Sequence, residues 1–328
     1  IQLKEGRKYF FGNITWRGNT KYPDSLLSSI LNIKKGEIYN REILYNKLGK
    51  TQTAEGGDIS GLYQDDGYLF FNVDPIETAV YNDTIDFEIR MREGPQATIK
   101  TIRIAGNEKT KDFVIRREIR TIPGDKFSRT LLIRSQREIS QLNYFDQEKI
   151  KIDPVPNPED GTVDINYSLE EKSSDQLELS AGWGGLIGLT GTLGVTFNNF
   201  STKNLFKKSA WQPLPSGDGQ RLSLRVQSNG PSFSSQNFSF TEPWLGGKKP
   251  VSFGLSAFTS LQSNGFVETD NQFQKIRLNG VSVSLGKKLK WPDNWFSLSH
   301  AVNLNQYILN NYPGYLFSTG TSYNFNLT

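Results

Sequence analysis

Few side chains in this sequence of 328 residues could carry out chemistry. Cysteine is absent, which excludes disulfides, thiol nucleophiles and thiolate metal sites. His300 is the single histidine, so a histidine-rich metal site or a two-histidine helix motif is impossible. The sequence contains neither a G-x-S-x-G serine motif nor a phosphate-binding P-loop. We therefore expect a protein that is not an enzyme and that needs no metal or nucleotide cofactor.

One enzymatic alternative stays open around His300, which lies in a segment of alternating polar and apolar residues. It shares its phase with the apolar neighbours Phe296, Leu298, Val302 and Leu304. A lipase built on a membrane barrel would carry its base on that face, but it would also need a serine beside the base. The same-face neighbour is Val302, so a histidine near the membrane interface is the favoured interpretation.

Charge and hydropathy narrow the class of protein further. The net charge is only +4, and lysine and arginine are scattered among acids, which disfavours nucleic-acid binding. No run of residues approaches the ~18 apolar residues of a membrane helix, whereas a membrane strand needs only about ten alternating residues. Residues 1–10 lack the pattern of a signal peptide, which indicates a cytoplasmic protein or one that has lost its leader.

The first half of the chain contains an internal repeat. Residues 18–40 (GNTKYPDSLLSSILNIKKGEIYN) are similar to residues 106–128 (GNEKTKDFVIRREIRTIPGDKFS). Each copy predicts a strand, a Gly-Asn turn, a helix, a Gly turn, a second helix and two closing strands, with one sheet edge left unpaired. The two copies of the repeat predict one domain at 1–94 and a second at 95–172. The composition changes near Lys172, which predicts a third domain at 173–328.

The second half alternates between apolar and polar residues, as in QLELSAGW at 176–183 and RLSLRVQS at 221–228. The segments between turns predict about eight antiparallel strands. A soluble sandwich would alternate in the same way. Aromatic residues near strand ends, in TEPW, WPDNWF and NNYPGY, are instead typical of the interfacial girdles of a transmembrane barrel. A slip of phase at Asn279 and Gly280 predicts a β-bulge.

These stretches together resemble a known family. The repeated unit is similar to the POTRA domain, and two such units before a strand-rich half resemble the outer-membrane assembly factors, which join POTRA domains to a sixteen-stranded barrel. The most specific stretches are residues 102–128 and residues 180–200 (SAGWGGLIGLTGTLGVTFNNF). The resemblance implies α+β tandem POTRA domains in the periplasm of a Gram-negative bacterium. It also implies an all-β transmembrane antiparallel barrel in the outer membrane, with about the first half of its strands present here.

The resemblance further implies a function: unfolded barrel proteins are folded and inserted into the membrane by pairing with exposed strand edges. The partners implied are those clients, periplasmic lipoprotein subunits and outer-membrane lipid. The implied residues are Gln176, Leu177, Glu178, Leu179, Ser180, Ala181, Gly182 and Trp183 for client pairing by the first barrel strand; Tyr68, Phe70, Asn72, Lys149 and Lys151 for the POTRA edges; and Arg117, Glu118 and Arg120 for docking of an accessory subunit.

Two other functions stay open at this point. A translocation pore of the two-partner secretion type has the same order of domains but exports its client through the lumen. A plain structural barrel would only anchor a periplasmic rod. A large ion conductance would favour the pore.

Overall fold

The computed structural model describes residues 7–51, 57–184, 188–211, 214–247, 250–289, 291, 296–313 and 318–328. The chain divides into two compact units. One comprises Ile1–Asn107 and Ile115–Glu171, and the other comprises Glu108–Val114 and Lys172–Thr328. Within the described ranges, no helix is long and apolar enough to cross a membrane.

The first repeat packs three helices on a three-stranded sheet. Strand β1 (Phe10–Arg17) runs parallel to β3 (Thr84–Arg92), and β3 pairs antiparallel with β2 (Asn72–Tyr81). Alternate residues of β3 are buried, as expected for a sheet with one covered face. The helices are α1 (Asp24–Leu31), α2 (Arg41–Leu48) and α3 (Ile59–Asp65).

Helix α3 was not predicted, since two helices were expected in this repeat. It has only seven residues and contains Gly61, which lowers its helix propensity. It forms because Asp58 accepts a hydrogen bond from the amide of Gly61 at its first turn, and because Ile59 and Tyr63 are fully buried. Tertiary packing therefore outweighs a weak local signal.

The second repeat has the same sheet order. Strand β4 (Thr98–Ala105) is parallel to β6 (Thr162–Ser168), which pairs antiparallel with β5 (Lys151–Asn157). Its helices are α4 (Asp112–Arg116) and α5 (Arg129–Gln141), and a 3-10 turn precedes β5. Ser128 caps α5 by accepting a hydrogen bond from the amide of Leu131.

Eight strands of the second half form one antiparallel sheet in chain order within the described residues. They are β7 (Gln176–Gly184), β8 (Gly188–Phe200), β9 (Gln220–Asn229), β10 (Phe233–Glu242), β11 (Val251–Ser263), β12 (Lys275–Lys288), β13 (Ser297–Asn310) and β14 (Gly320–Leu327).

One face of this sheet is apolar along a continuous row. The register places eight apolar residues side by side, one from each strand: Leu177, Val195, Leu224, Phe238, Ala257, Val281, Leu304 and Phe325. The adjacent cross-strand row, which points to the opposite face of the sheet, includes Arg225, Asn237 and Asn305. Such division between faces is the pattern of a barrel wall with lipid on one side.

The bulge predicted at Asn279 and Gly280 is wrong. Strand β12 pairs with β11 and β13 without a shift of register across both residues. The pattern changes phase there because Asn279 lies on the face of Val281, where it hydrogen-bonds to Thr259 and Gln306, while Leu278 lies on the opposite face with Gly280. The ring of Phe258 lies over Gly280, where a Cβ would lie 2.2 Å from Phe258 Cε1. The irregularity of this sheet lies instead between Phe197 and Phe200, in the pairing of β8 with β9.

Candidate strand-pairing site

The first barrel strand, β7, is an edge strand. It pairs with β8 along one side, and in the part of the chain that the structure describes no strand pairs with its other side. Strand β14, at the other end of the sheet, also lacks an outer partner among these residues, so both end strands have alternate backbone N–H and C=O groups with which another strand could pair. All eight residues from Gln176 to Trp183 lie within β7. Their role in client pairing stays a prediction.

Leu177, Leu179 and Trp183 of β7 are about three-quarters exposed on the apolar face. On the opposite face, Glu178 reaches across β8 to β9, where its Oε1 lies 3.0 Å from Nη2 of Arg225. Gly194 of β8 lies between them, and a Cβ there would lie 3.2 Å from Glu178 Oε2. Because both side chains are about half exposed, the pair contributes at most about 1 kcal/mol.

Each POTRA-like repeat has one sheet edge that is already covered. In the first repeat, the amide of Phe11 donates to the carbonyl of Glu37 and the amide of Tyr39 donates to the carbonyl of Tyr9. In the second repeat, the amide of Ile99 donates to the carbonyl of Asp125. Among the described strands, the remaining edges are β2 and β5.

The structure corrects three of the five residues predicted for those edges. Asn72 and Lys151 begin β2 and β5, as expected. Tyr68 and Phe70 lie in the turn before β2, because the aromatic run there packs on α3: Tyr63 stacks on Phe71 with ring centroids 4.1 Å apart.

Lys149 is the third of these residues, since it lies in the 3-10 turn before β5. That turn forms because the side chain of Asp146 accepts a hydrogen bond from the amide of Glu148.

The two open edges differ in the hydrogen bonds they can offer. A proline has no N–H, so Pro154 and Pro156 are expected to direct their nitrogens away from β6. Ile152 is then the only outward donor among the three residues of β5 on that side. Strand β2 has one proline, Pro75, and two such donors, Val73 and Glu77. The β2 edge is therefore better suited to pairing than the β5 edge.

The residues predicted to dock an accessory subunit are largely enclosed. The Arg117 and Glu118 side chains are only 6% and 11% exposed and lie against each other, with Nε and Oε1 3.5 Å apart. Arg120 donates from Nε to Oε2 of Glu138 at 2.6 Å. The structure thus places Arg117 and Glu118 in one ion pair and Arg120 in another with Glu138, and the carboxylate of Glu118 is not on the open surface.

An acidic face of the first repeat binds the second repeat, and sequence reasoning did not identify it. Asp58, 3% exposed, lies 3.1 Å from Nη1 of Arg129 at the start of α5. Asp65 accepts hydrogen bonds from the amide and hydroxyl of Thr130 and from the hydroxyl of Ser128. The only signal in the sequence is the group of acids Asp58, Asp65 and Asp66.

The loop after β1 is held by Glu93. Its carboxylate accepts hydrogen bonds from the amides of Thr20 and Lys21 and from the hydroxyls of Thr20 and Tyr63. Burial alone would raise the pKa of Glu93, but these hydrogen bonds outweigh it, so the pKa lies below its usual value. The nearby Asp66 also has a lowered pKa, chiefly through its hydrogen bond with Lys21.

His300 lies on β13 opposite Leu285 of β12. Its cross-strand neighbour there is thus aliphatic rather than a serine, which a lipase would need. Two of the three tryptophans predicted near the strand ends lie within the described residues. Trp244 follows β10 and is half-buried, Trp291 is 84% exposed, and Trp295 lies outside the described residues.

The repeats match the POTRA family model, described as "Surface antigen variable number repeat", at residues 9–94 and 97–172. Outer membrane protein assembly factor BamA of Neisseria meningitidis serogroup B is 31% identical over 248 residues, which are 75% of this chain and 28% of that protein. BamA of Buchnera aphidicola subsp. Acyrthosiphon pisum is 28% identical over 211 residues, which are 63% of this chain and 31% of that protein.

Among solved structures, BamA from Haemophilus ducreyi lacking POTRA domains 1–3 has the same fold. The TM-score is 0.69 at 21% identity, over 97% of this chain and 58% of that one. The chain spans less than a third of the length of the curated relatives it matches. The two matches to the POTRA family model, with the 31% identity to BamA of Neisseria meningitidis over 75% of this chain, show that the chain belongs to the BamA family of POTRA-and-barrel proteins.

Proposed function

We propose that this protein folds and inserts other β-barrel proteins into the outer membrane of a Gram-negative bacterium, with its POTRA domains in the periplasm. The observation that supports the proposal is the position of β7, which follows the second POTRA repeat, pairs along one side only among the described residues, and contributes Leu177 to a continuous apolar row. A strand edge in hydrocarbon leaves backbone polar groups without partners, and each costs several kcal/mol. An incoming client strand would remove that cost by pairing.

The POTRA edges would present clients to the barrel strand. Edge pairing uses the client backbone and needs little side-chain specificity, which suits a protein with many clients. The proline pattern favours the β2 edge, at Val73 and Glu77, as the client-binding edge. Strand β5, with two prolines in seven residues, would serve chiefly to complete its sheet.

An accessory lipoprotein would bind near Arg117, Glu118 and Arg120. Because Glu118 is buried beside Arg117, such a partner contacts the surface around this ion pair, or the pair separates on binding. Glu118→Lys, compared with wild type in a pull-down of periplasmic partners, should lose one subunit. Recovery of the same subunits from both would remove this part of the proposal.

A proline substitution tests the proposed pairing strand. Leu179→Pro removes one N–H from β7 and disrupts extended pairing, whereas Leu179→Val keeps both the backbone and an apolar side chain. We expect the proline variant to abolish client insertion into membranes and the valine variant to insert clients at the wild-type rate. A folded barrel that still inserts clients with Pro at 179 would contradict the proposal.

The translocation pore remains the second candidate, because POTRA domains joined to a barrel also suit export through a lumen. It predicts a large ion conductance in planar bilayers, and crosslinks to a client from lumen-facing positions on every strand. The assembly factor predicts client crosslinks concentrated at β7.

A further inference from the structure

A seven-residue segment of the second repeat belongs to the unit that contains the barrel strands. This segment, residues 108–114, lies in the chain after β4 and ends within α4. The amide of Lys111 donates to the carbonyl of Gly217 at 3.0 Å, and its Nζ lies 2.5 Å from Oδ1 of Asp218. Asp218 is 3% exposed, so this is a nearly buried carboxylate with a cationic partner.

Asn199 of β8 completes this contact. Its Nδ2 donates to the Thr110 hydroxyl at 2.8 Å, and its Oδ1 accepts from the amide of Gly219 at 2.9 Å. Thr110 and Asn199 are 2% and 7% exposed. The Ser201 hydroxyl donates to Oδ2 of Asp218, so both carboxylate oxygens of Asp218 have partners. Buried polar networks with all members satisfied are rigid.

The preceding residue, Asn198, binds a different segment. Its amide donates to Oδ1 of Asp175 at 3.0 Å, and its Nδ2 donates to the carbonyl of Ser174. Residues 174 and 175 lead directly into β7. Asn198 and Asn199 of β8 lie opposite the single residue Arg221 of β9 at the irregularity in the pairing of the two strands, and Asn199 has a positive φ of 61°. This backbone kink lets adjacent side chains bind two segments far apart in sequence.

We propose that Asn198 and Asn199 form a positioning junction for the client-pairing strand. Asn199, with Asp218, holds segment 108–114, and Asn198 holds the residues that begin β7. Loss of the contacts of Asn199 or Asp218 with segment 108–114 therefore alters the position of the first residues of β7. The inference rests on the proposed function of β7 and assigns positioning roles to Thr110, Lys111, Asn199 and Asp218.

Matched variants at Thr110 test the junction. Thr110→Val keeps the shape of the side chain but removes the hydroxyl that accepts from Asn199, whereas Thr110→Ser keeps it. Because the chain has no cysteine, a nitroxide can be attached at Gln176→Cys, the first residue of β7, and a control nitroxide at Ser260→Cys in the middle of β11.

With the full chain in lipid, we expect Thr110→Val to increase the mobile fraction at 176 at least threefold and to leave the label at 260 unchanged. Thr110→Ser should restore the wild-type spectrum. Lys111→Met should act as Thr110→Val does, and Lys111→Arg as wild type. If Thr110→Val does not fold, Thr110→Ala removes the same hydroxyl with a smaller side chain and should give the same result.

Unchanged mobility at 176 in a folded variant that lacks the hydrogen bond between Asn199 and Thr110 would overturn the junction. A different result would show that the proposed function is wrong while the junction is right. The label at 176 would then respond to the variants, but β7 of the otherwise wild-type protein would never crosslink to a client.

Discussion

Arg129 and Asp58 lie 71 positions apart in the chain, yet Nη1 of the arginine is 3.1 Å from the carboxylate of the aspartate. The two side chains are 15% and 3% exposed. This pair joins the start of α3 in the first repeat to the start of α5 in the second, and Asp65 accepts three more hydrogen bonds from Ser128 and Thr130 at the start of α5. The two POTRA domains are therefore held together by charged side chains, not only by their linker.

Removal of one partner from this ion pair should lower the free energy of unfolding. Arg129→Met leaves the carboxylate of Asp58 buried without its cation, which we expect to cost about 3 kcal/mol. Urea unfolding followed by the fluorescence of Trp16, in the first repeat, measures the effect. Lys100→Met is the control, because it breaks the exposed pair of Lys100 with Asp160 and should cost less than about 1 kcal/mol. Equal losses for both variants would contradict a structural role for Arg129.

The stability of the first repeat should fall in acid. The folded-state pKa of Glu93 lies below its usual value, so its contribution is fully present above the unfolded pKa of about 4.3 and is lost as the pH falls through the folded value. Glu93→Gln should flatten the dependence of unfolding free energy on pH in that range. Glu37→Gln, an exposed control in the same repeat, should keep the wild-type slope. If Glu93→Gln keeps that slope as well, the carboxylate is not what holds the loop.

Gly280 and Phe258 should be coupled in the barrel sheet. A methyl group at 280 would lie 2.2 Å from the Phe258 ring, so Gly280→Ala should destabilise the barrel by about 1–3 kcal/mol. Phe258→Leu removes the ring and should relieve much of that loss in the double variant. Unfolding in denaturant, measured for the four proteins of a double-mutant cycle, gives the coupling free energy. A value near zero would show that the two residues do not compete for the same space.

Tryptophans at the strand ends report on the bilayer. In single-tryptophan variants that keep Trp244 or Trp291, lipids brominated near the headgroup should quench fluorescence more than lipids brominated at the chain terminus. Trp16, which lies in the first POTRA domain, is the control and should be quenched by neither. Absence of quenching for all three would indicate a sheet that does not contact lipid.

The sequence predicts the architecture well because the fold depends on periodicity that is visible locally. Both repeats and the eight alternating strands follow from such patterns, and the resemblance to POTRA-and-barrel proteins is confirmed. Helix α3 was missed because burial of Ile59 and Tyr63, not propensity, stabilises it.

The candidate site was harder to predict, because it depends on contacts between residues distant in sequence. A run of aromatic residues at 68–71 has the composition of a strand, but packing of Phe71 on Tyr63 makes part of it a turn. Glu118 follows α4 in a turn, where the fold encloses its carboxylate beside Arg117, a contact that the sequence alone does not show. By contrast, the two prolines of β5 are visible in the sequence and would have been enough to disfavour that edge, although the sequence prediction did not use them.

The most direct test of the central claim is a crosslink between β7 and the terminal strand of a stalled client. Cysteine at Ser180 lies on the open edge strand, and cysteine at Ser260 lies in the same cross-strand row on a strand paired along both sides. We predict that the cysteine at 180 crosslinks to a cysteine on the client only during assembly, while the cysteine at 260 does not. Equal crosslinking from both positions would contradict client pairing at β7 and would indicate passage through the lumen.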